Sequence, residues 1–274
     1  MPDDATDRFL AHIARCRTAH LPGGRKPIRL GDAPFGWVDP RLFDALAPLA
    51  TKDGNGLCLP PDTGLEQLGA HLAALGLYRS HGELFDVRDD EDRVIGQIDR
   101  GALPLLGCRA AGVHLNGLVR RDDALFLWVA HRAADKRLDP GKLDHLAAGG
   151  LCAGLTAAEA LVKEAGEEAG IQPELLRDAT EVATIRYAMD RPEGLRRDTL
   201  YCYDLVLPED FIPQPVDGEV AFFELMPLET VFRIVRDTRD VKFNVNLVLI
   251  DLFLREGMFA PDAACLLREA LDTE

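Results

Sequence analysis

Both ends of one helix are written into residues 149–171, and no other stretch constrains the chain as much. Thr156 and Glu159 form an S/T-x-x-E capping box, and Gly170 stands where a helix stops at a left-handed glycine. The spacing therefore predicts a helix over 156–169. At about 100° per residue, Leu161, Val162, Ala165 and Ala169 share an arc that faces a core, and Glu164, Glu167 and Glu168 share the adjacent arc. Like charges one turn apart cost roughly 0.3 kcal/mol per pair on an isolated helix, so three carboxylates on one side call for a cation. Hard oxygen donors of this kind suit Mg²⁺ or Mn²⁺, which bridge protein carboxylates to substrate phosphates. The competing reading is an ordinary solvated acidic face with Lys163 beside it.

Around this helix the pattern alternates strands with helices. Residues 112–119 and 124–130 read as strands, as do 180–187, 199–207 and 220–225, with further helices at 228–235 and 244–256. That interleaving predicts a layered α/β domain. Ahead of it, helices at 5–17, 39–49 and 64–75 and short strands at 28–30, 83–87 and 94–98 predict a small α+β unit. We place the boundary at 104, giving an N-terminal domain 1–104 and a second domain 105–274.

Composition removes whole classes of function. With 31 Lys+Arg against 46 Asp+Glu the net charge is −15, so nucleic acid is not an expected partner. The longest apolar run, Leu247 to Leu254, is interrupted by Asp251 and falls short of the roughly 20 residues that cross a bilayer. The start Met1-Pro2-Asp3-Asp4 lacks the basic and apolar regions of a secretory signal. The six cysteines form no CxxC pair. These features predict a cytoplasmic protein with reduced thiols, as monomer or homodimer. Within the acidic chain Arg186, Arg191, Arg196 and Arg197 gather around an expected loop, able to clamp a diphosphate or simply to be solvated.

The stretch from Gly149 to Ile171 resembles the Nudix hydrolase signature, G-x5-E-x7-R-E-U-x-E-E-x-G-U. Gly149, Glu164, Glu167, Glu168, Gly170 and Ile171 fall on its fixed positions, while Leu155 replaces the first Glu, Lys163 replaces the Arg, and Ala165 is small. Glu159 lies one turn before Lys163 and could pair with it in place of the missing Glu. Gly112 to Gly117, Trp128 to Lys136, Pro140 to Gly150, Tyr203 to Pro208, Asp217 to Val220 and Phe243 to Asn246 are similar to the thiamine pyrophosphokinase-related Nudix proteins, which carry an N-terminal α+β domain.

This resemblance implies an α/β/α sandwich with a mixed sheet, preceded by a small α+β domain. It also implies a metal-dependent hydrolase that cleaves a small organic diphosphate, thiamine diphosphate or its oxidised or damaged analogues, to the monophosphate. Glu164, Glu167 and Glu168, with the Gly149 carbonyl and Glu219, would hold Mg²⁺ or Mn²⁺. Lys163 would orient the carboxylates, and Glu167 or Glu168 would serve the attacking water. Arg186, Arg196, Arg197, Phe243, Asn244 and Asn246 would bind the substrate, with its ring system between the two domains. Two alternatives stand beside this: cleavage of ADP-ribose or NADH by the same chemistry, and a silent ligand-binding module, for which Leu155 and Lys163 speak. His114, His145 and Trp128 are expected to be structural.

Overall fold

The computed structural model describes residues 4–273 other than Asn55 and Arg137. A first helix, α1 (Asp4–Arg15), precedes a small unit. That unit holds β1 (Lys26–Leu30), β2 (Ala33–Val38), α2 (Phe43–Leu46), β3 (Thr51–Asp53), β4 (Gly56–Leu59), α3 (Leu65–Ala74), β5 (Leu84–Arg88), β6 (Val94–Asp99) and α4 (Leu103–Leu106). Its sheet has the order β2-β1-β4-β3, with β1 and β4 parallel, and β5 and β6 form a separate hairpin. Leu57, Leu59, Leu68, Leu72, Phe85 and Ile98 lie in its core.

The larger unit runs β7 (Arg109–Arg121), β8 (Ala124–Arg132), β9 (Leu143–Asp144), β10 (Ala147–Gly150), α5 (Ala157–Ala169), β11 (Thr180–Arg191), β12 (Gly194–Val206), β13 (Val220–Pro227), α6 (Leu228–Asp237), α7 (Val245–Arg255) and α8 (Pro261–Asp272). Its mixed sheet has the order β11-β12-β7-β8-β13. One edge of β7 is shared: its first half pairs antiparallel with β10, Gly112 to Leu115 opposite Gly150 to Ala147, and its second half pairs with β8. The other edge pairs in parallel with β12.

Side chains alternate across this sheet, and both faces are covered. Leu118, Leu127, Val129, Leu200 and Cys202 face α6, α7 and α8, whereas Val119, Trp128, Tyr203 and Leu205 face α5. A strand buried on both faces reads as a nearly continuous apolar run, as residues 124–130 do. The architecture is the expected α/β sandwich.

Several elements differ from the sequence reading. The helix expected over 39–49 is a 3-10 turn, Pro40–Leu42, capped by the Asp39 carboxylate, followed by the single turn of α2. β2, β3, β4, α4, β9, β10 and α8 have no counterpart in the sequence reading. Residues 188–198, expected to be a loop between two strands, are the paired arms and turn of the β11–β12 hairpin. α1 buries Phe9, Ile13 and Cys16 against α6, α7 and α8, so its apolar face belongs to the larger unit's helical layer. α7 is buried from Val245 to Phe253, and its Asp251 accepts from Arg255 Nε at 2.8 Å and from Arg268 Nη1 at 2.7 Å. Among the described residues no helix is long and apolar enough to cross a membrane.

Candidate active site

α5 has the ends its sequence demands. Glu159 N donates to Thr156 Oγ1 at 3.3 Å, Thr156 N donates to Glu159 Oε2 at 2.9 Å, and Gly170 closes the helix at φ 67°. The Glu159 carboxylate is thereby spent on the cap. Its expected pairing with Lys163 does not form, and Lys163 Nζ donates instead to Glu164 Oε1 at 2.9 Å and Glu167 Oε2 at 2.8 Å. The apolar arc is also shifted, since Val162 is exposed and Ala160 is buried.

The acidic arc divides in two. Glu167 is exposed, but Glu164 and Glu168 are turned inward, 9% and 8% exposed, against β10. Ala148 N donates to Glu168 Oε2 at 2.8 Å. Glu164 packs so tightly on Gly149 that a Cβ there would lie 2.0 Å from its Cδ, which is the local reason for glycine at 149. Burial pushes both carboxyls above the ordinary range, Glu168 the further because Asp144 adds a second negative charge.

Glu168 meets two carboxylates from the loop before β13. One oxygen from each of Glu168, Asp217 and Glu219 lies within 4.8 Å of the others. Glu219 N donates to Asp217 Oδ1 at 2.8 Å, and Lys136 pairs with Glu219. Three hard oxygen donors with no sulfur or imidazole among them fit Mg²⁺ or Mn²⁺. This set differs from the expected one: Glu168 and Glu219 are in it, Glu164 and Glu167 are occupied by Lys163, and Asp217 is new. The sequence held Asp217 only as part of a turn, because nothing local tells which helix that turn will face.

Behind β10 lies a second charged group. Arg132 Nη1 and Lys242 Nζ donate to Asp144 Oδ2 at 2.7 and 2.9 Å. Although burial opposes it, the two cations hold the Asp144 carboxyl well below the ordinary range. His114 and His145 meet edge to face, 5.0 Å between centroids. Burial keeps both neutral, with His145 pushed down to about 4. Neither His145 ring nitrogen has a hydrogen-bond partner among the described residues.

A cleft of about 950 Å³ runs from α5 and the 217–219 loop to the small unit, which contributes Tyr78, His81, Glu83 and Arg100. Nine basic and nine acidic side chains line it, so the cleft is charge-balanced within a chain of net charge −15. Arg196, Arg197, Phe243 and Asn244 line it as expected, with Arg191 beside them. Arg186 lies on the exposed side of β11, and Asn246 is buried in α7, where its Nδ2 donates to the Lys242 carbonyl at 3.2 Å; neither lines the cleft. Arg196 pairs with Asp198 at 3.1 Å, Tyr187 O–H donates to the same carboxylate, and Arg191 and Arg196 cover the Phe243 ring at 5.5 and 5.7 Å. Phe243 is therefore a floor beneath two guanidiniums and presents no open stacking face.

A family model described as the NUDIX domain matches residues 110–246, half of the 274-residue chain. This chain belongs to the Nudix family. The matched range holds β7 to β13, α5 and α6, and the small unit lies outside it. Nudix hydrolase 24, chloroplastic, of Arabidopsis thaliana is 44% identical over 166 residues, 61% of this chain and 46% of that protein. Nudix hydrolase 20, chloroplastic, of the same plant is 40% identical over 183 residues, 66% of this chain and 49% of that protein. The chain thus spans about half the length of these curated Nudix relatives. Among solved structures, DR0079 from Deinococcus radiodurans is 24% identical with a TM-score of 0.47, over 61% of this chain and 97% of that one.

Proposed function

We propose that this protein is a divalent-metal-dependent hydrolase that cleaves the phosphoanhydride of a small organic diphosphate of the thiamine diphosphate type, oxidised or damaged forms included, releasing the monophosphate. The observation that carries this reading is the charge-balanced cleft, with a three-carboxylate group at one end and guanidiniums along its side. An acidic protein that handles a diphosphate needs local positive charge to offset its own field, and Arg191, Arg197 and Lys136 provide it within the cleft.

Glu168, Asp217 and Glu219 would hold the metal, which supplies charge on the phosphoryl oxygens and a more acidic water. Lys163 spans Glu164 and Glu167 and fixes their orientation at the mouth. Arg197 would orient the diphosphate through charge-assisted hydrogen bonds. Glu83, Glu193 and Asp198 face the remainder of the cleft and favour a cationic or neutral ring over a second polyanionic group. Tyr78 adds a partly exposed aromatic surface there.

The test is a Mg²⁺ assay of thiamine diphosphate, its oxidised analogues, ADP-ribose and NADH, with products identified by mass. We expect the monophosphate from the thiamine compounds, a higher kcat/KM for them than for ADP-ribose, and loss of turnover by orders of magnitude on chelation or in Glu168→Gln. A tenfold preference for ADP-ribose or NADH refutes the substrate assignment. Turnover that survives exhaustive chelation refutes the metal chemistry.

A further inference from the structure

Position 155, where the signature's first glutamate is missing, carries Leu155, whose side chain packs against the apolar cluster beneath α5. A carboxylate enters the same neighbourhood from outside the Nudix match. Glu83, immediately before β5, accepts from Cys152 Sγ at 2.9 Å through Oε1 and from Arg100 Nη1 at 3.0 Å through Oε2. Its place is set by a wider brace between β5 and the loop that feeds α5. Ala153 N donates to the Leu84 carbonyl at 2.8 Å and Gly154 N to Asp86 Oδ2 at 3.1 Å. The Phe85 ring lies so close to Gly150 that a Cβ there would come within 2.3 Å of Cζ. A side chain on Gly150 would push the hairpin off the loop.

Held this way, Glu83 lines the cleft together with Lys163, Glu164 and Glu167. Its charge is felt on both sides. Burial raises its carboxyl, but the Cys152 thiol, Arg100 and Lys163 outweigh that and leave it below the ordinary range. Glu83 is in turn among the charges that raise Glu164, after burial and Glu167. Lys163 is one cation between two carboxylates of α5, and Arg100, 45% exposed, pairs with Oε2 of Glu83 and lies over the Phe85 ring at 5.5 Å. Glu83 therefore adds a third carboxylate at the mouth of the metal-binding group, beside the two that share Lys163.

We propose that Glu83, delivered by the N-terminal unit, is a positioning residue of the hydrolase site, bonded to the loop that feeds α5 through Cys152 and adding a carboxylate beside the acidic face of α5 that makes the mouth more attractive to a divalent cation. The inference rests on the proposed function, and it makes cation affinity depend on a residue outside the Nudix domain. The brace is made by the main chain and by Phe85 and Asp86, so a change confined to the Glu83 carboxylate leaves the brace itself in place.

Mn²⁺ binding to the full chain, followed by electron paramagnetic resonance or calorimetry, tests this without relying on turnover. The comparison is wild type, Glu168→Gln, Glu83→Gln and Glu83→Asp. Glu83→Gln is expected to weaken Mn²⁺ binding about tenfold, the scale of outer-shell groups at metal sites, and to raise the half-saturating Mn²⁺ for hydrolysis by the same factor. Glu83→Asp, which keeps the charge and shortens the reach to Cys152, is expected to stay within about threefold of wild type. Affinity unchanged in Glu83→Gln but lost in Glu168→Gln overturns the role of Glu83 alone, as does equal loss in the Gln and Asp variants. A wild type that binds no Mn²⁺ overturns the proposed function, and this role with it.

Discussion

Acidification from pH 7.5 to 5 should destabilise the protein through His145, and replacing that residue by leucine should remove the effect. In the unfolded chain an imidazole titrates near 6.5, whereas in the fold burial pushes His145 down to about 4, Asp144 acting in the opposite sense and the Lys242 cation in the same sense as burial. Between these values the unfolded chain binds the proton and the native protein does not, so stability falls as pH falls from 6.5 to 4 and is level above and below that window. At pH 5 the unfolded imidazole is almost fully protonated and the native one about a tenth, which amounts to about 2 kcal/mol from His145 alone. His114, also lowered by burial and in contact with it, adds to the same loss. Glu164 and Glu168 work against it, because carboxyls raised in the fold are relieved by acid. The measure is therefore the difference between wild type and His145→Leu in urea unfolding at the two pH values. The variant should lose about 2 kcal/mol less than wild type. Equal losses, within about 0.5 kcal/mol, would refute the neutral buried imidazole.

Two further outcomes follow from contacts at the site. Gly149→Ala places a methyl group 2.0 Å from Glu164 Cδ, so Glu164 must move by an ångström or more; kcat should fall roughly a hundredfold with the fold retained, and an unchanged kcat would refute the packing argument. Arg196→Ala leaves the buried Asp198 carboxylate with the Tyr187 hydroxyl as its remaining side-chain partner among the described residues, so it should cost about 3 kcal/mol in urea unfolding; Arg197→Ala should fold normally and raise KM with little change in kcat, and the reverse pattern would exchange the two roles.

Strictly local physics carried the sequence reading of α5. A capping box and a terminal glycine act within one or two turns, so Thr156, Glu159 and Gly170 mark the ends of α5 whatever surrounds it. Three-residue and four-residue spacing puts Glu164, Glu167 and Glu168 on one side, and nearly continuous apolar runs mark strands covered on both faces. The family motif added the α/β sandwich and Glu219. What the sequence left open depends on contacts between distant segments. Whether Glu159 caps or pairs is settled by the competing donors at Thr156, and which carboxylates Lys163 takes is settled by how far α5 is buried against β10. Asp217 joins Glu168 because the turn before β13 comes to lie beside α5, a separation of 49 residues along the chain. Glu83 reaches the same mouth because β5 lies along the loop that starts α5. No periodicity announces such meetings: they are fixed by sheet register and by the packing of one unit on the other, and only the tertiary structure decides them.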